Sequence, residues 1–555
     1  MKSKRITYFL PVWILLILGM GLVVLKPLGL HLTNLPGDLG DTRFNIYILE
    51  HFYHWVTGQL NDYWNAPFFY PFQQTIAFSD NLLGSAPVYA LFRLLGLDRE
   101  TSFQFWYILG YILNFTAACY ALKRINLKPL AIGAGAYFFT FGLPVLAQEN
   151  HVQLLYRFCI PMACLMLWQF YQTPRLRNLV YLCFWIVWQF YLTIYIGFFL
   201  VILMGLLFLL SPFFIPEPTL IQKISAWPHR LKEAWAQTQP RYRFFTMVSI
   251  IGILLCFFAL IFPYYRVHRA YGFYRSWAEV SEMLPRWQSY LLSDNSNFWG
   301  SQSTIFSDPP LRHEHQLFPG AAVLIIIVIG VVGRFKTENR RLAWLNLCAA
   351  VIFFFITLDL NGFSLYKFIW HIPGMNSVRA VTRSMLVVIW PLALFASWSV
   401  DGMLLWSKQH SRLWQPAVYL LVIFLVLEPI FFSHTTFTKA EAVARLEKLH
   451  QLIPTQIFSN PILFVAANPQ EPFWAEEIDA MLLAQELGWP TLNGYSGNNP
   501  PGYKSAESCE QLPGRILSYM DFARIDNPAY YIETMKRTVL IGFKDCDPSW
   551  WVQMP

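Results

Sequence analysis

Charge is what this sequence has least of. Only 13% of its 555 residues are Asp, Glu, Lys or Arg, about half the roughly 25% of an ordinary soluble chain. A single soluble globular protein is excluded on that ground. Cysteine is also sparse, with eight residues, and no CxxC or zinc spacing occurs among them. No P-loop, no GxGxxG opening a helix and no GxSxG elbow is present, so none of these signatures points to nucleotide binding or to a serine hydrolase. There is no internal repeat and no low-complexity tract. The net charge of +8 is spread in short clusters between apolar runs. It forms no basic stripe, so it does not indicate nucleic-acid binding.

Apolar and aromatic residues are abundant. The chain is 55% hydrophobic and 18% aromatic, with a mean hydropathy of +0.38. Apolar runs of membrane-spanning length recur, and the many Trp, Tyr and Phe suit extensive headgroup contact. Six cysteines (Cys119, Cys159, Cys164, Cys183, Cys256 and Cys348) lie in or beside those runs, where a thiol behaves as a small hydrophobe. Cys509 and Cys546 lie in the polar C-terminal region, where a disulfide between them is one option.

Lys2, Lys4 and Arg5 precede the first run, about 8–25. It is too long for a signal h-region and lacks a small-residue cleavage site, so an uncleaved span with its N-terminus inside is expected. Further runs fall at about 101–122, 129–147 and 152–172. Leu179 to Phe214, about 36 residues or roughly 54 Å of helix, exceeds a ~30 Å hydrocarbon core and divides into two spans near Tyr195-Gly197. The remaining runs are about 244–262, 317–333, 342–358, 384–402 and 416–433. The total is about 11 spans. Basic loops alternate with the others in the positive-inside manner, and the odd count puts the C-terminus outside, in agreement with the loop charges.

Residues 434–555 have soluble composition. Helices are expected over Ala440–Leu452 and Trp474–Glu486, strands over Pro461–Ala466 and Val539–Phe543, and a long turn over Gly494–Pro501. The expected architecture is therefore an α-helical polytopic membrane domain, 1–433, followed by a small extracytoplasmic α/β domain. The first outside loop, 31–100, carries interfacial helices. One has the apolar stripe Phe44, Ile48, Phe52, Trp55, with Glu50, His51 and His54 off it. Another is the short piece Leu82 to Leu97.

Asp38 and Asp41 stand three apart at the start of that loop. A carboxylate just outside the membrane can accept a proton from an attacking hydroxyl, and a second can raise its partner's pKa, hold a metal or orient the acceptor. The plainer reading makes Asp38 a turn residue and Asp41 a helix N-cap. Arg379 and Arg383, four apart at the outer end of a span, share a helical face. They run against the positive-inside trend, and either bind a phosphate or snorkel to headgroups. Arg43 and Arg157 are weaker candidates of the same kind. His313, Glu314 and His315 form a possible metal set, because i and i+2 share a face in an extended segment. A polar loop entering a span is the favoured reading. Glu149 and His151 at an outer span end, and Asp80 in Ser79-Asp80, are candidates for lining a cleft. Asp545-Cys546-Asp547 has a DxD form but is expected outside, where nucleotide sugars are scarce, and is set aside.

Gly37-Asp38-Leu39-Gly40-Asp41, Glu50-His51, Tyr70-Pro71 with Ser79-Asp80, His151-Val152-Gln153, Phe318-Pro319-Gly320, Pro373 to Arg383 and Asn493-Gly494-Tyr495-Ser496-Gly497 resemble stretches of the GT-C superfamily of polyprenyl-phosphate-dependent glycosyltransferases. The similarity is closest to bacterial multi-pass GT-C/YfhO-like proteins. Each stretch is short, though together they cover nearly the whole chain. The resemblance implies that a first-loop acid, Asp38 or Asp41, is the catalytic base, with DxxD here in place of adjacent acids. It implies a polyprenyl-phosphate sugar donor, an envelope glycan, lipid or protein as acceptor, and a location in the plasma (inner) membrane. A divalent metal is an open option. Two rivals are a lipid-linked glycan transporter or flippase, and a non-catalytic envelope assembly protein. The polar candidates cluster at the outer surface, and no repeat symmetry favours the transporter.

Overall fold

The computed structural model describes residues 8–214, 222–223, 225–466, 472–504 and 511–542. Lys2, Lys4, Arg5, the candidate pair Cys509 and Cys546, and the Asp545-Cys546-Asp547 triplet lie outside the described residues.

Helices occupy every one of the expected apolar runs. Nine are long and apolar enough to cross a membrane among the described residues, and the chain is a multi-pass membrane protein. Those that matter below are α1 (Leu10–Leu28), α2 (Arg99–Arg124), α3 (Val152–Gln172), α4 (Ile194–Phe214), α5 (Pro240–Tyr271), α6 (Arg340–Thr357) and α7 (Val381–His410). The expected spans near 179–195 and 317–333 are occupied by shorter helices, Leu176–Leu192 and Ala321–Gly333.

Burial separates the centre of the bundle from its periphery. The most apolar stretch of α7 is 94% buried, whereas that of α5 is 6% buried. Two small-residue contacts bring neighbours close to α7. A Cβ on Gly135 would run into the Ser397 hydroxyl, and one on Gly330 into that of Ser399. Small residues at such crossings let backbones approach where no hydrophobic force drives helices together.

The first-loop helix Asp41–Val56 is buried continuously from Thr42 to Phe52, and only its end, Trp55 and Val56, is exposed. Glu50 accepts from Arg93 Nε and Nη2 at 2.9 Å each and is also bonded by the Tyr89 hydroxyl. His51 Nε2 lies 2.8 Å from the Tyr63 carbonyl. Buried polar groups persist because each finds a partner. The piece at 82–97 forms the nine-residue helix Ala86–Leu94, which buries Ala86, Tyr89 and Ala90 and exposes Leu91 and Leu94.

The C-terminal region folds back onto this loop. β1 (Asn34–Pro36) pairs antiparallel with β2 (Thr436–Thr438), in the register Leu35 to Phe437. Helices Lys439–His450 and Phe473–Leu487 and the strands β3 (Ile462–Val465) and β4 (Thr538–Ile541) fall where the sequence predicts them. β3 and β4 are parallel. Phe473–Leu487 lies against the first-loop helix. Asp479 is paired with both Arg43 and Arg445, and Gln485 Nε2 donates to the Tyr47 carbonyl at 3.1 Å. Ile478, Met481 and Leu482 belong to the main core, while Ile462, Phe464 and Leu512 form a satellite core. The region therefore shares its core with the membrane part on one side and has its own on the other.

Candidate active site

Gly40 is the N-cap of the first-loop helix, with no side-chain cap. The Asp38 carboxylate instead accepts from the Gly40 amide at 3.0 Å, a local turn of the kind Asp favours. That leaves Asp41, the first helical residue, free to point away from its own backbone. Its Oδ2 lies 2.6 Å from His151 Nδ1 and accepts from Gln153 Nε2 at 3.3 Å. Its Oδ1 accepts from the Tyr495 hydroxyl at 2.8 Å. The carboxylate expected to cap a helix thus joins three distant segments.

From His151 the contacts continue inward. Arg383 Nη2 is 2.9 Å from His151 Nε2 and donates to Glu314 Oε1 at 2.6 Å. Arg383 Nε donates to Glu314 Oε2 at 3.2 Å. The guanidinium also lies over the Tyr195 ring, 5.3 Å from its centroid, a favourable cation–π placement. Its Nη1 makes no hydrogen bond among the described residues. In the neutral ring, an Nε2 that accepts from Arg383 puts the proton on Nδ1, which then donates to Asp41; in the doubly protonated ring Nε2 instead faces Glu314 Oε1, 3.3 Å away.

Asp41, His151, Glu314 and Arg383 line a cavity of ≈ 370 Å³. Asp80, His313 and Arg379 also line it, as do Arg275, Tyr264 and the turn Tyr495–Asn498. Arg379 is the freer of the two predicted arginines. Its side chain is 39% exposed against 8% for Arg383, and it sits 3.5 Å from Glu279. Arg275, which sequence reasoning missed, donates to the same carboxylate at 2.9 Å. The Ser496 hydroxyl is buried against the cavity without a partner.

The charges are set by these contacts. Burial raises the Asp41 pKa, but the His151 hydrogen bond and charge, the Tyr495 hydroxyl and the Arg383 charge outweigh it and hold the carboxyl at about 2. Glu314 is likewise buried, and Arg383 and His151 hold it well below the usual carboxylate range. Burial and Arg383 oppose a second proton on His151, while Asp41 and Glu314 favour one and prevail, so its pKa is raised. Asp80 differs. Burial pushes it up to about 6, against the Ile194 amide and the Thr193 hydroxyl that its oxygens accept. Those contacts, at 2.6 and 3.1 Å, make Asp80 a cap for the start of α4 supplied from a remote segment.

Five predicted residues lie elsewhere. Asp38 stays in its turn. Glu149 binds His434 Nδ1 at 2.7 Å and the Thr435 amide at 2.6 Å, tying the turn before α3 to the segment that leads into β2. His315 faces Ser289, 2.7 Å away, and the Glu282 carbonyl. His313 and His315 do not share a face, because Arg312–His315 is a 3₁₀ turn in which i and i+2 are two-thirds of a turn apart. Arg43 is spent on Asp479, and Arg157 is fully buried among backbone carbonyls.

A divalent metal does not fit this donor set. His151 turns one nitrogen to Asp41 and the other to Arg383, and both Glu314 oxygens rest on Arg383. No three His, Cys, Asp or Glu side chains converge as a metal site among the described residues. The fixed cation between the two acids is Arg383.

Tyr495 is the other residue that sequence reasoning missed. Its only signal was its place in the polar turn Asn493–Gly497. That turn is held from below by buried Glu477, which accepts from Asn493 Nδ2 and the Gly494 amide at 3.0 Å each and pairs with Arg515. Gly494 passes so close to the Phe69 ring that a Cβ has no room. Burial and the Asp41 charge raise the Tyr495 pKa, so its hydroxyl remains a donor.

No protein-family model matches the chain, and no characterised protein sequence matches it. Among solved structures the chain is similar to the archaeal oligosaccharyltransferase AglB from Archaeoglobus fulgidus in complex with an inhibitory peptide and a dolichol-phosphate (TM-score 0.49, 12% identity, covering 97% of this chain and 69% of that chain). It is also similar to the apo form of the Archaeoglobus fulgidus oligosaccharyltransferase (TM-score 0.48, 12% identity, 97% and 69%). A third is the arabinofuranosyltransferase AftD from Mycobacteria (TM-score 0.45, 11% identity), where 84% of this chain covers 30% of that chain.

Proposed function

We propose that this chain is a membrane-embedded glycosyltransferase of the GT-C type. It moves a sugar from a polyprenyl-phosphate-linked donor to a hydroxyl of an envelope glycan, lipid or protein, on the outer face of the plasma membrane. The observation that carries this reading is the unbroken run Asp41–His151–Arg383–Glu314 along one cavity at the ends of the spans.

Asp41 is the base in this mechanism, in preference to Asp38, whose carboxylate is used within its own turn. The bond from the anomeric carbon to the lipid phosphate breaks through an oxocarbenium-like state, and the acceptor oxygen bonds to the carbon from the opposite face. The acceptor proton passes to Asp41. A carboxylate held near 2 is a weak base, but the proton leaves late, when the attacking oxygen already carries positive charge and is strongly acidic. His151, Gln153 and Tyr495 orient the carboxylate. An acceptor hydroxyl takes the place of the Tyr495 hydroxyl on Oδ1. The departing lipid phosphate is stabilised by Arg379 and by the unpaired Nη1 of Arg383, donors already in place before charge develops.

Asp41→Asn and Asp38→Asn, each checked for folding, test the assignment by transfer to the native acceptor. Loss of a positioned base costs roughly 10²–10⁴-fold, expected for Asp41→Asn alone. Full transfer by both variants overturns the mechanism. A deletion strain that accumulates unsugared acceptor and spare donor lipid supports an enzyme over a transporter.

A further inference from the structure

The end of the bundle opposite Asp41 holds a second cavity of ≈ 380 Å³. α3 connects the two. Its first residues, next to His151 and Gln153, reach the candidate active site. Its last ones, Gln169 and Gln172, line the second cavity. Its regular α-helical part, Cys159–Gln172, has 14 residues and is about 21 Å long, which sets the second cavity well away from Asp41.

Three guanidiniums, Arg124, Arg175 and Arg177, line this second cavity. All three are exposed to it or to solvent, and none makes an ion pair among the described residues. The acidic residue of the lining is Glu338, also exposed, so the walls carry an excess of positive charge. Two helices start here. Leu176–Leu192 begins after Arg175, and α6 begins after Asn339, so the positive ends of two helices flank the same space. Asn178 supplies an independent observation. It is 5% exposed and lines the cavity, yet its side chain makes no hydrogen bond among the described residues. Its polar atoms are not among the fully enclosed ones without a partner, so the carboxamide opens onto the cavity and is available to a ligand or water.

The cavity shares Ile125, Leu165 and Trp168 with an apolar slot that runs inward between the spans. That slot holds only ≈ 20 Å³, and Asn346 beside it is 1% exposed with no partner for its Oδ1. A polar, basic mouth edged by the apolar side chains Ile125, Leu165 and Trp168 has the chemistry of an amphiphile site.

We propose that this is a second lipid site, which takes the anionic phosphate headgroup of a membrane phospholipid. The three arginines and the two helix starts hold the phosphate. Asn178 and Gln172 donate to its oxygens, and the glycerol end of the lipid rests on Trp168 and Leu165 at the rim of the cavity. Charge complementarity and this apolar rim select a lipid over a soluble phosphate compound. The site does not depend on the proposed transfer reaction, and its residues touch none of the groups around Asp41.

The test compares the full-length protein with Arg124→Gln/Arg175→Gln/Arg177→Gln in nanodiscs made from equal parts of an anionic and a zwitterionic phospholipid. Lipid retained after dilution into detergent is read by native mass spectrometry. A control, Arg340→Gln/Arg341→Gln/Lys408→Gln, removes three charges from exposed positions at the same end that do not line the cavity. The wild type and the control are expected to retain anionic over zwitterionic lipid by at least about fivefold, and the cavity variant to lose that preference while staying monodisperse. Equal retention by the cavity variant overturns the site. A matching loss in the control also overturns it, since general surface charge is then sufficient. Inorganic phosphate in the millimolar range is the soluble arm. Thermal stabilisation of the wild type by phosphate alone, with no lipid preference, overturns the lipid assignment.

Discussion

The two ends of this bundle solve opposite electrostatic problems with the same residue types. At one end Arg383 is buried and held by Glu314, His151 and Tyr195, with Nη1 alone left over. At the other, Arg124, Arg175 and Arg177 surround a cavity of similar size and meet no anion among the described residues. A buried charge persists only when paired, because desolvation costs several kcal/mol per ion. An exposed one needs no partner. The first arrangement is rigid before any ligand arrives, as a site that stabilises developing charge must be. The second leaves its charges for whatever enters.

Stability measurements can break that contrast. The largest effect is expected from Arg383→Met. It leaves Glu314 buried without its counter-charge, at a cost of about 3–5 kcal/mol, read as chemical or thermal unfolding in detergent. A loss below 1 kcal/mol means that the pair is not desolvated and the contrast fails.

Acid unfolding comes next. The Asp41 pKa is depressed in the folded protein to about 2, below its unfolded value. It therefore contributes stability at pH values above the unfolded carboxylate range, and that stability is lost as pH falls through the folded pKa. The contribution is about 2 kcal/mol, lost between roughly pH 4 and 2. Asp80 acts with the opposite sign. Its pKa is raised to about 6, so it favours the folded state at low pH and withdraws that support as pH rises from about 4 to 6. Replacing Asp41 by Asn should flatten the acid limb, and replacing Asp80 by Asn should not.

Tyr495→Phe removes one donor from Asp41, a charge-assisted bond of about 1.5 kcal/mol. The Asp41 pKa should then rise, moving the acid limb of both stability and transfer upward. An unmoved acid limb would separate Tyr495 from the site. The smallest effect is expected at the other end. Arg175→Gln and Arg177→Gln should change stability in zwitterionic detergent by less than about 0.5 kcal/mol. A larger loss there means that these side chains are structural and not open to a ligand.

Much of this arrangement was legible in the sequence. Asp41, Asp80, His151, His313, Glu314, Arg379 and Arg383 were all singled out as polar residues at the ends of apolar runs, and all line one cavity. The signal was their chemistry against a background that avoids charge. Asp38 and Asp41 were not separable on spacing, because a turn and a helix start tolerate either. His315 was misplaced by an assumed extended backbone. Tyr495 carried only the weak signal of its polar turn and Arg275 none, since aromatics are common in this chain and Arg275 sits in an aromatic, Arg-rich loop.

What the sequence by itself determined is where the chain meets lipid and where it leaves it. Hydropathy is summed over consecutive residues, so the spans and the polar stretches between them are local properties. Only the tertiary structure decided which polar residues meet. The contacts of Asp41 with His151 and Tyr495 join positions 110 and 454 apart, and that of Arg383 with His151 joins positions 232 apart. No local preference encodes such pairings. They follow from which helices pack against α7 and from the strand pairing that folds the C-terminal region over the first loop.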